Sequence, residues 1–502
     1  MNYRLNHSPL RRTAVALAAL ASSLAAAARA APPVLAPPAP PGEAVKPYVK
    51  LEAPVVVLRH VELIDGTGAP AQGDRTLVIE KGRIAAVGGP ELQAPAGATV
   101  LDLPGHAVIP GLVGMHNHLF YIARPNMDAA GRSEPPAMVP EMAFSAPRLY
   151  LAAGVTTMRT TGSVEPYTDL NLKQMIDAGA IPGPHLDVTG PYLGNLPAFP
   201  QMKVMHGPDD ARRMVNYWAD EGVNSFKAYM YITRAELKAA IDEAHKRGLK
   251  ITGHLCSVTY PEAAALGIDD LEHGFWVDTE LDPGKDPDAC PATAGRPTVS
   301  ALTPDSPAGK ALIADLVKRH VAVTSTLPVF EQGLAGRPPL DPRVMAAMSP
   351  EARDGYLYVR NRRDNAPAAT KEALLKAWKN NLAMEHAFAE AGGLLLAGPD
   401  PTGNGGTLPG FGDQREVELL VEAGFNPEAA IRIATLNGAT YLGLADRIGS
   451  IAAGKDADLV VVKGDPARDI SDVEKVEIVF KDGVGYDPAS LLDSVKGRFG
   501  EY

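Results

Sequence analysis

Cysteine is almost absent from the chain, since Cys256 and Cys290 are the two that occur in 502 residues. So few cysteines exclude a disulfide-rich scaffold, and the two do not have the C-x-x-C spacing of a zinc site. In an oxidising compartment they could form one disulfide bond, and two free buried thiols are an equally open alternative. The sequence alone leaves their pairing undecided.

The chain also lacks the features of proteins that bind polyanions. Its formal net charge is -11, from 48 Lys and Arg against 59 Asp and Glu, and no basic stripe interrupts this acidic balance. It contains no G-x-x-x-x-G-K-[ST] phosphate loop and no Gly-rich dinucleotide fingerprint. Nucleic acid is therefore not expected as a partner, and small or neutral ligands are favoured.

One long apolar run stands out, from Thr13 to Ala28, and it is too short to span a bilayer. Three arginines precede it, and Ala28-Arg29-Ala30 follows it as a small-x-small cleavage site. Residues 1–30 are therefore predicted to be a signal peptide, with an amphipathic or membrane helix as the alternative. We expect a periplasmic or secreted protein without stable membrane insertion, and the export route stays open.

Proline is dense between residues 31 and 54, which predicts an extended linker and a folded part that starts near Val55. Strand-like runs with Gly-containing turns then occupy residues 55–106. The same pattern returns in residues 441–502, ahead of a C-terminal tail. Both ends are therefore predicted to build one small β-sandwich domain.

Between these ends, residues 107–440 alternate short apolar, β-branched runs with helix-like segments. The runs are Ala107–His118, Val155–Thr160, His185–Thr189, Ser225–Tyr229, Lys250–His254, Asp270–His273, Val321–Leu327 and Leu394–Asp400. Eight such units predict an α/β fold in which parallel strands close into a (β/α)8 TIM-like barrel, with an open doubly wound sheet as the alternative. Two Pro-rich excursions, at about 277–310 and 328–368, are expected to cover or shape a site.

Chemically active side chains stand at the ends of these runs. His116 and His118 end the first run, where the period-two alternation of a strand puts both imidazoles on one face. Two neutral imidazoles can hold one divalent metal ion, although a lone His-x-His is equally consistent with two ordinary polar residues.

Four more runs end near a potential ligand, namely Lys227, His254, His273 and Asp400. In a barrel of parallel strands these ends converge on one face. A buried imidazole or carboxylate without a partner costs several kcal/mol, so a chance scatter of such residues over strand ends is disfavoured. The pattern therefore predicts a metal site.

Four motifs carry a resemblance to a known family. They are Val108-Ile109-Pro110-Gly111-Leu112-Val113-Gly114-Met115-His116-Asn117-His118, Gly154-Val155-Thr156-Thr157, Leu271-Glu272-His273-Gly274 and Gly454-Lys455-Asp456-Ala457-Asp458-Leu459-Val460. In this order they resemble the amidohydrolase superfamily over about residues 55–485, and in particular its imidazolonepropionase-like and prolidase-like branch, which includes ochratoxin-degrading amidohydrolases. The resemblance implies a (β/α)8 barrel flanked by a β-sandwich from both termini.

The resemblance also implies a binuclear centre of divalent metal ions. The implied ligands are His116, His118 and Asp400 for the more buried ion, and His254 and His273 for the more exposed one. Lys227 would bridge both ions as an N6-carboxylated side chain, because an ammonium has no lone pair and needs CO2 to become a ligand. A lysine that points out of the barrel, with a single ion, is the alternative. Zinc is the expected metal, and manganese, cobalt or nickel are open alternatives.

The mechanism expected from these parts is attack of a metal-bridged hydroxide on a carbonyl. Asp400 is the predicted general base that passes a proton to the leaving nitrogen, and His273 or a tyrosine would hold the oxyanion. Candidate substrate contacts are Tyr192, Tyr229, Tyr231, Phe330, His206 and Arg159. Arg159 either binds a substrate carboxylate or pairs with a nearby acid, since Met158-Arg159-Thr160-Thr161-Gly162 departs from the family pattern.

Three functions follow as alternatives. The first is a secreted amidase that cleaves an acyl–amino-acid or dipeptide-like substrate, as prolidase-like, carboxypeptidase-like and ochratoxin-degrading relatives do, and the predicted export favours it. The second is a cyclic amidohydrolase that opens imidazolone, hydantoin or lactone rings. The third is a non-catalytic metal- or ligand-binding barrel, which has no need for both the lysine and the aspartate. The sequence leaves homo-oligomerisation open.

Overall fold

A computed structural model describes residues 33–122, 138–196, 200–402 and 406–501. The predicted signal peptide, residues 1–30, lies outside the described residues. Within those ranges no helix combines the length and apolar character needed to cross a membrane.

Strands and helices alternate through the middle of the chain. The strands are β1 (Val49–Leu51), β2 (Val55–Leu63), β3 (Gln72–Glu80), β4 (Arg83–Gly88), β5 (Thr99–Asp102), β6 (His106–Pro110), β7 (Leu112–Gly114), β8 (Val155–Arg159), β9 (His185–Asp187), β10 (Ser225–Ala228), β11 (Lys250–Gly253), β12 (Asp270–Glu272), β13 (Ala322–Ser325), β14 (Leu395–Ala397), β15 (Leu459–Lys463), β16 (Val476–Lys481) and β17 (Val484–Tyr486). The α-helices are α1 (Ser145–Ala152), α2 (Pro166–Asp177), α3 (Pro208–Glu221), α4 (Arg234–Lys246), α5 (Tyr260–Leu266), α6 (Arg296–Ala301), α7 (Pro307–Arg319), α8 (Leu327–Glu331), α9 (Pro342–Ala347), α10 (Pro350–Asp364), α11 (Ala368–Glu390), α12 (Phe411–Glu422), α13 (Pro427–Arg432), α14 (Gly438–Tyr441) and α15 (Pro488–Val495).

Strands β7 to β14 are parallel and follow one another in chain order, β7–β9 in one sheet and β10–β14 in another. Each of the eight predicted apolar runs contains one of them. Backbone hydrogen bonds also connect the two sheets, from Leu193 N to Lys227 O (2.9 Å) and from Met115 N to Ala397 O (2.8 Å). The fold is therefore mixed α/β, with a TIM-barrel-like domain.

The first apolar run contributes one strand to each of two sheets, and the chain passes from one sheet to the other at Gly111. Before this residue β6 pairs antiparallel with β15, and after it β7 pairs parallel with β8. A Cβ atom on Gly111 would lie 2.2 Å from Oγ1 of Thr156, so the chain can change sheets here only with glycine. The two histidines that follow β7 are thereby placed beyond the carboxyl end of the first parallel strand.

Strands from both ends of the chain share a third sheet, which has nine strands. Its order is β1-β17-β16-β15-β6-β2-β3-β4, with β5 beside β2. Buried residues of β2, β3, β6, β15 and β16 form a separate hydrophobic cluster against it. The β-branched alternation of these segments matches a half-buried sheet.

Residues 33–54 differ from the extended linker that their prolines indicate. Strand β1 pairs antiparallel with β17, and Gly42 N donates to Gly179 O (2.8 Å). Leu35 is buried in a hydrophobic cluster that includes Met115 and Leu396. The segment packs because apolar side chains spaced between its prolines have a surface to cover, and burial of each contributes about 1.5–3 kcal/mol.

Cys256 and Cys290 form a disulfide bond, with Cα atoms 4.9 Å apart. This bond fastens the first Pro-rich excursion to the loop that follows β11, two residues beyond His254. The second excursion contains α9 and α10. Both segments are thus held by structure of their own near the carboxyl ends of the parallel strands.

Replacing Glu385 of α11 with glutamine is expected to make stability depend less on pH. Burial raises the pKa of Glu385 to about 7, against the hydrogen bonds donated by Ser325 and Asn381. Between the unfolded pKa of about 4.3 and this value, the folded chain keeps a proton that the unfolded chain has lost. The free energy of unfolding should therefore fall as pH rises through this window and level off above it.

Urea unfolding at several pH values measures this effect in the wild type and in Glu385→Gln. The difference in the free energy of unfolding between the two proteins should change steadily between the unfolded and the folded pKa of Glu385. Parallel pH curves for both would show that Glu385 does not carry the raised pKa.

Candidate metal centre

Six side chains with metal-ligand chemistry meet beyond the carboxyl ends of the parallel strands; we call them the metal centre. They are His116 and His118 after β7, Lys227 in β10, His254 after β11, His273 after β12 and Asp400 after β14. All six lie where the sequence predicts them, although they come from five strands spread over 285 residues of chain.

The backbone around the first two histidines is held tightly. The Tyr150 hydroxyl donates to the carbonyl of His118 (2.8 Å), and the His118 amide donates back to the same hydroxyl (3.1 Å). Asp400 N donates to His116 O (3.0 Å), which brings the ends of β7 and β14 together. A Cβ on Gly398 would lie 2.2 Å from His116 N, so this approach requires glycine.

His116, His118 and Asp400 form a compact donor set, with ligand atoms all within 4.8 Å of one another. Oδ1 of Asp400 is 3.2 Å from Nε2 of His118 and 3.6 Å from Nε2 of His116. Nε2 of His118 and Oδ1 of Asp400 are buried and have no hydrogen-bond partner. Because unpartnered buried polar atoms are costly, their presence fits a site built to hold a cation.

Lys227 is buried beside this set and does not point out of the barrel-like domain. It is 1% exposed, and its Nζ donates to Nε2 of His116 (3.0 Å). Burial lowers the pKa of Lys227 to about 8, against the attraction of Glu272 and Asp400. The neutral amine fraction near neutral pH is therefore about a tenth, far larger than that of an exposed lysine.

His254 and His273 form the second pair, with a 2.8 Å hydrogen bond between Nε2 of His273 and Nδ1 of His254. Burial lowers the pKa of His254 to about 3 and lowers those of the other three histidines as well. Neutral imidazoles keep the lone pair that a metal ligand needs.

Asp400 and His273 both carry positive φ angles, of 52° and 73°. Such conformations are strained for non-glycine residues and cluster at functional sites. Burial opposes ionisation of Asp400, but the neighbouring His116, His118 and Lys227 outweigh it and hold the pKa of Asp400 below its usual value. Asp400 is thus an anion at neutral pH, as a metal ligand must be.

Glu272 and Arg159 form a buried layer beneath the metal centre. His116 donates through Nδ1 to Oε2 of Glu272 (2.6 Å), which leaves Nε2 of His116 unprotonated and facing Lys227 and Asp400. Nη2 of Arg159 donates to Oε1 of Glu272 (3.0 Å) and to Oδ2 of Asp270 (2.6 Å). Arg159 is 1% exposed and pairs with these two acids, which favours the acid-pairing alternative over a contact with a substrate carboxylate.

Sequence reasoning missed Glu272 and Asp270, yet a signal was present. Both are charged residues within a three-residue buried strand, and they alternate with Leu271 so that both lie on the same face of the strand. A carboxylate at such a position needs a cationic or histidine partner.

Replacing Glu272 with glutamine is expected to weaken metal binding by about 10–100-fold, because the carboxylate orients His116 and raises its basicity. The metal dissociation constant of the folded protein, measured by competition with a chelator, checks this. Glu416→Gln is a matched control, since Glu416 is also buried but accepts a backbone N–H from Leu327. Equal affinities in both variants would contradict the orienting role of Glu272.

Aromatic side chains border the metal centre. Tyr192 is buried under Lys227 and packs edge-on against Tyr229, and Tyr229 packs against His254 with ring centroids 5.1 Å apart. On the other side, the half-buried Phe330 lies 5.6 Å from His273 and stacks on Trp276 at 4.5 Å, a residue that sequence reasoning did not select.

The other two predicted substrate contacts, Tyr231 and His206, do not border the metal centre. Tyr231 is half-buried in the loop after β10, and His206 is exposed just before α3. In the described part of the chain, neither makes a hydrogen bond or ring contact with a residue of the metal centre.

Comparison with known proteins identifies the family of this chain. The model of the amidohydrolase family matches residues 107–289 and 403–485, more than half of the chain. Enamidase of Eubacterium barkeri is 25% identical over 433 residues, which cover 81% of this chain and 88% of that protein. Adenine deaminase 2 of Jannaschia sp. (strain CCS1) is 32% identical over 141 residues, but these span 23% of its length.

Solved structures agree. A candidate prolidase from Bifidobacterium longum is 26% identical with a TM-score of 0.61, covering 88% of this chain and 98% of that one. Bottromycin amidohydrolase, 21% identical, has a TM-score of 0.64 with 90% and 94% coverage, and shows the same fold. The chain therefore belongs to the amidohydrolase family, and it is a hydrolase that acts on carbon–nitrogen bonds.

Proposed function

We propose that this chain is an exported, metal-dependent amidohydrolase that cleaves the amide bond of an acyl–amino-acid or dipeptide-like substrate. The observation that carries the proposal is the convergence of four neutral imidazoles, one buried lysine and one buried aspartate in the metal centre. The prolidase character of a structural neighbour supports the linear amide over other substrates.

The proposal includes the complete architecture. The two parallel sheets would close into one eight-stranded barrel, supported by the hydrogen bonds between β10 and the loop after β9 and between Met115 and Ala397. The nine-stranded sheet would curl around its own hydrophobic cluster as the flanking β-sandwich. The domain boundaries would follow the predicted ones, except that residues 33–54 belong to the folded body.

The residues of the metal centre fit two divalent cations, with zinc as the expected metal. His116, His118 and Asp400 would hold one ion, His254 and His273 the other, and carboxylated Lys227 would bridge them. Bound divalent ions supply Lewis-acid polarisation of the scissile carbonyl and lower the pKa of water. Imidazole and carboxylate donors suit zinc and neighbouring transition metals better than calcium or magnesium.

Carboxylation of Lys227 is chemically consistent with its surroundings. The neutral amine nitrogen adds to the carbon of CO2, a new N–C bond forms, and one proton leaves to solvent. The lowered pKa of Lys227 supplies the neutral amine, and the resulting carbamate anion replaces a cation in a buried site. Its two oxygens then give the lysine the donors that its ammonium lacks.

Asp400 would move the proton of the reaction. Its carboxylate takes a proton from the attacking water and delivers it to the departing nitrogen, which would otherwise leave as a poor amide anion. Its positive φ and the hydrogen bond from its amide to His116 O hold the carboxylate in one position. His273, whose Nδ1 lies 2.8 Å from Oγ1 of Thr326, is the nearby candidate for holding the developing oxyanion.

The aromatic borders indicate the shape of the substrate. Trp276 and Phe330 stack within contact of His273, and Tyr229 stands on the other side beside His254. Flat aromatic walls favour an aromatic or amphipathic acyl or amine group.

Replacing Phe330 with leucine is expected to lower kcat/KM for aromatic substrates about tenfold relative to aliphatic ones.

Purified mature protein, reconstituted with zinc, tests the proposal in a hydrolysis screen of N-acyl amino acids, X-Pro dipeptides and cyclic amides. Two zinc ions per chain and cleavage of linear amides is the expected result. Opening of rings without cleavage of linear substrates would favour the cyclic amidohydrolase, and similarity to an enamidase and an adenine deaminase supports this alternative.

Export to the periplasm or beyond completes the proposal. It rests on the N-terminal apolar run and its Ala-x-Ala ending, and the Cys256–Cys290 disulfide supports an oxidising compartment. Fractionation of expressing cells, with the N-terminal residue of the mature protein identified, tests it. Mature protein that starts at Ala31 is expected, and an intact Met1 in the cytoplasm would refute export.

A further inference from the structure

A second cluster of donor atoms includes the start of a parallel strand, at the end opposite to the metal centre. His185 is the first residue of β9, Asp458 directly precedes β15, and Asp482 lies in the turn between β16 and β17. We call these three residues the interdomain cluster, because β9 belongs to the parallel strands and the other two elements belong to the nine-stranded sheet. The metal centre, by contrast, lies at the carboxyl ends of the parallel strands.

The interdomain cluster has the dimensions of a cation site. Nε2 of His185 is 3.3 Å from Oδ2 of Asp482 and 3.9 Å from Oδ2 of Asp458, and the three ligand atoms lie within 4.8 Å of one another. Neighbouring ligands of a tetrahedral zinc ion are about 3.4 Å apart. The side chains need to shift little to share one ion.

One carboxylate oxygen of this cluster lacks a partner. Oδ1 of Asp458 accepts the Asp482 amide (2.8 Å), whereas Oδ2 of Asp458 is buried and accepts no hydrogen bond. The Asp458 side chain is 2% exposed and its Oδ2 faces His185. A buried carboxylate oxygen without a donor is costly, and a cation at this point would satisfy it.

There is also space beside the cluster. A cavity of about 20 Å³ is lined by His185, Asp482 and Lys481, and residues between Ala36 and Pro41 of the N-terminal segment cover it. This volume suffices for one water molecule or one ion with little to spare.

From these contacts we infer that His185, Asp458 and Asp482 bind a third divalent cation, of the zinc or manganese class, with a structural role. The ion would join the start of β9 to β15 and to the β16–β17 turn, and so fasten the parallel strands to the nine-stranded sheet. One imidazole and two carboxylates, with a water in the cavity, complete a four-coordinate shell.

Lys481 provides the competing explanation. Its Nζ lies 3.5 Å from Oδ2 of Asp482, so its ammonium could be the counter-ion that the cluster uses instead of a metal. The two explanations predict opposite results for Lys481→Met. If the interdomain cluster binds a metal ion, loss of the neighbouring positive charge tightens metal binding several-fold. If it binds none, the two carboxylates lose their counter-ion and the variant unfolds at a lower temperature.

The test counts zinc in the wild type, Asp458→Asn and a control, after reconstitution of the full mature chain with zinc alone and removal of loose metal on a chelating resin. His245→Ala is the matched control, because it also removes one His–Asp contact, with Asp269 (3.0 Å). Asp458→Asn should hold one zinc fewer than the wild type and the control, with kcat unchanged. Chelation should lower its melting temperature less than that of the wild type, by about 2 °C or more.

Equal zinc counts in Asp458→Asn and the wild type would overturn the inference. Should Asp458→Asn fail to fold, zinc titration of Lys481→Met decides: tighter binding supports the site, and unchanged binding with a lower melting temperature refutes it. Because the zinc count and the melting temperature do not depend on the reaction catalysed, failure of the proposed amidase function would leave this result interpretable.

Discussion

Replacing Asp400 with asparagine is expected to lower kcat by roughly 10²–10⁴-fold while the protein stays folded and keeps most of its metal. The amide oxygen of asparagine can still face His118 at the position that Oδ1 occupies, 3.2 Å from Nε2. It cannot accept a proton from water or deliver one to the leaving nitrogen. Steady-state kinetics together with metal analysis of the same sample measure both halves of this expectation.

Asp278→Asn is the matched control for this variant. Asp278 is likewise a buried aspartate, but its carboxylate accepts the backbone amide of Tyr260 (3.0 Å) and does not reach the metal centre. Its kcat should stay within a few-fold of the wild type. Full activity in Asp400→Asn would refute the assignment of Asp400 as the base, and loss of all metal would show that its main role is binding.

Replacing Lys227 with methionine is expected to remove one of the two metal ions and to lower kcat roughly a thousandfold or more, since metal-ion catalysis supplies several kcal/mol. Methionine fills a similar volume over the Tyr192 ring but cannot be carboxylated. Metal content per chain and kcat are the measurements. Lys250→Met, on the neighbouring strand at its opposite end, removes an exposed cation and should keep both ions.

The carbamate itself has a distinct signature. Because only the neutral amine of Lys227 adds CO2 and burial lowers its pKa to about 8, metal-free protein supplied with zinc should regain activity faster as pH rises through that value at a constant concentration of dissolved CO2. Native mass spectrometry should show one added CO2 in the wild type and none in Lys227→Met. Two ions bound without added CO2 would contradict the bridging role of Lys227.

Much of the fold was predictable because its signals are local. The eight apolar runs alternate with helical segments, and each run contains a parallel strand in the structure. Strand ends are visible in a sequence, so His116, His118, His254, His273, Lys227 and Asp400 could be named as candidates before any contact was known. Their convergence then follows from parallel strands whose carboxyl ends lie on one side.

Other features were not predictable because they depend on pairs of residues distant in the chain. Arg159 was an ambiguous cation until Asp270 and Glu272, more than a hundred residues later, were seen to accept its hydrogen bonds. Proline content predicted a free linker at residues 31–54, but burial of Leu35 and pairing of β1 with β17 outweigh it.

The sequence by itself determined the family and the hydrolytic chemistry on C–N bonds and gave the candidate metal ligands, because periodicity and motifs are properties of neighbouring residues. Only the tertiary structure decided which donors face one another, that Glu272 orients His116, and that Cys256 bonds to Cys290. It also decided that His185, Asp458 and Asp482 meet at all. Those outcomes depend on long-range packing, in which the burial of one residue is set by surfaces that distant parts of the chain supply.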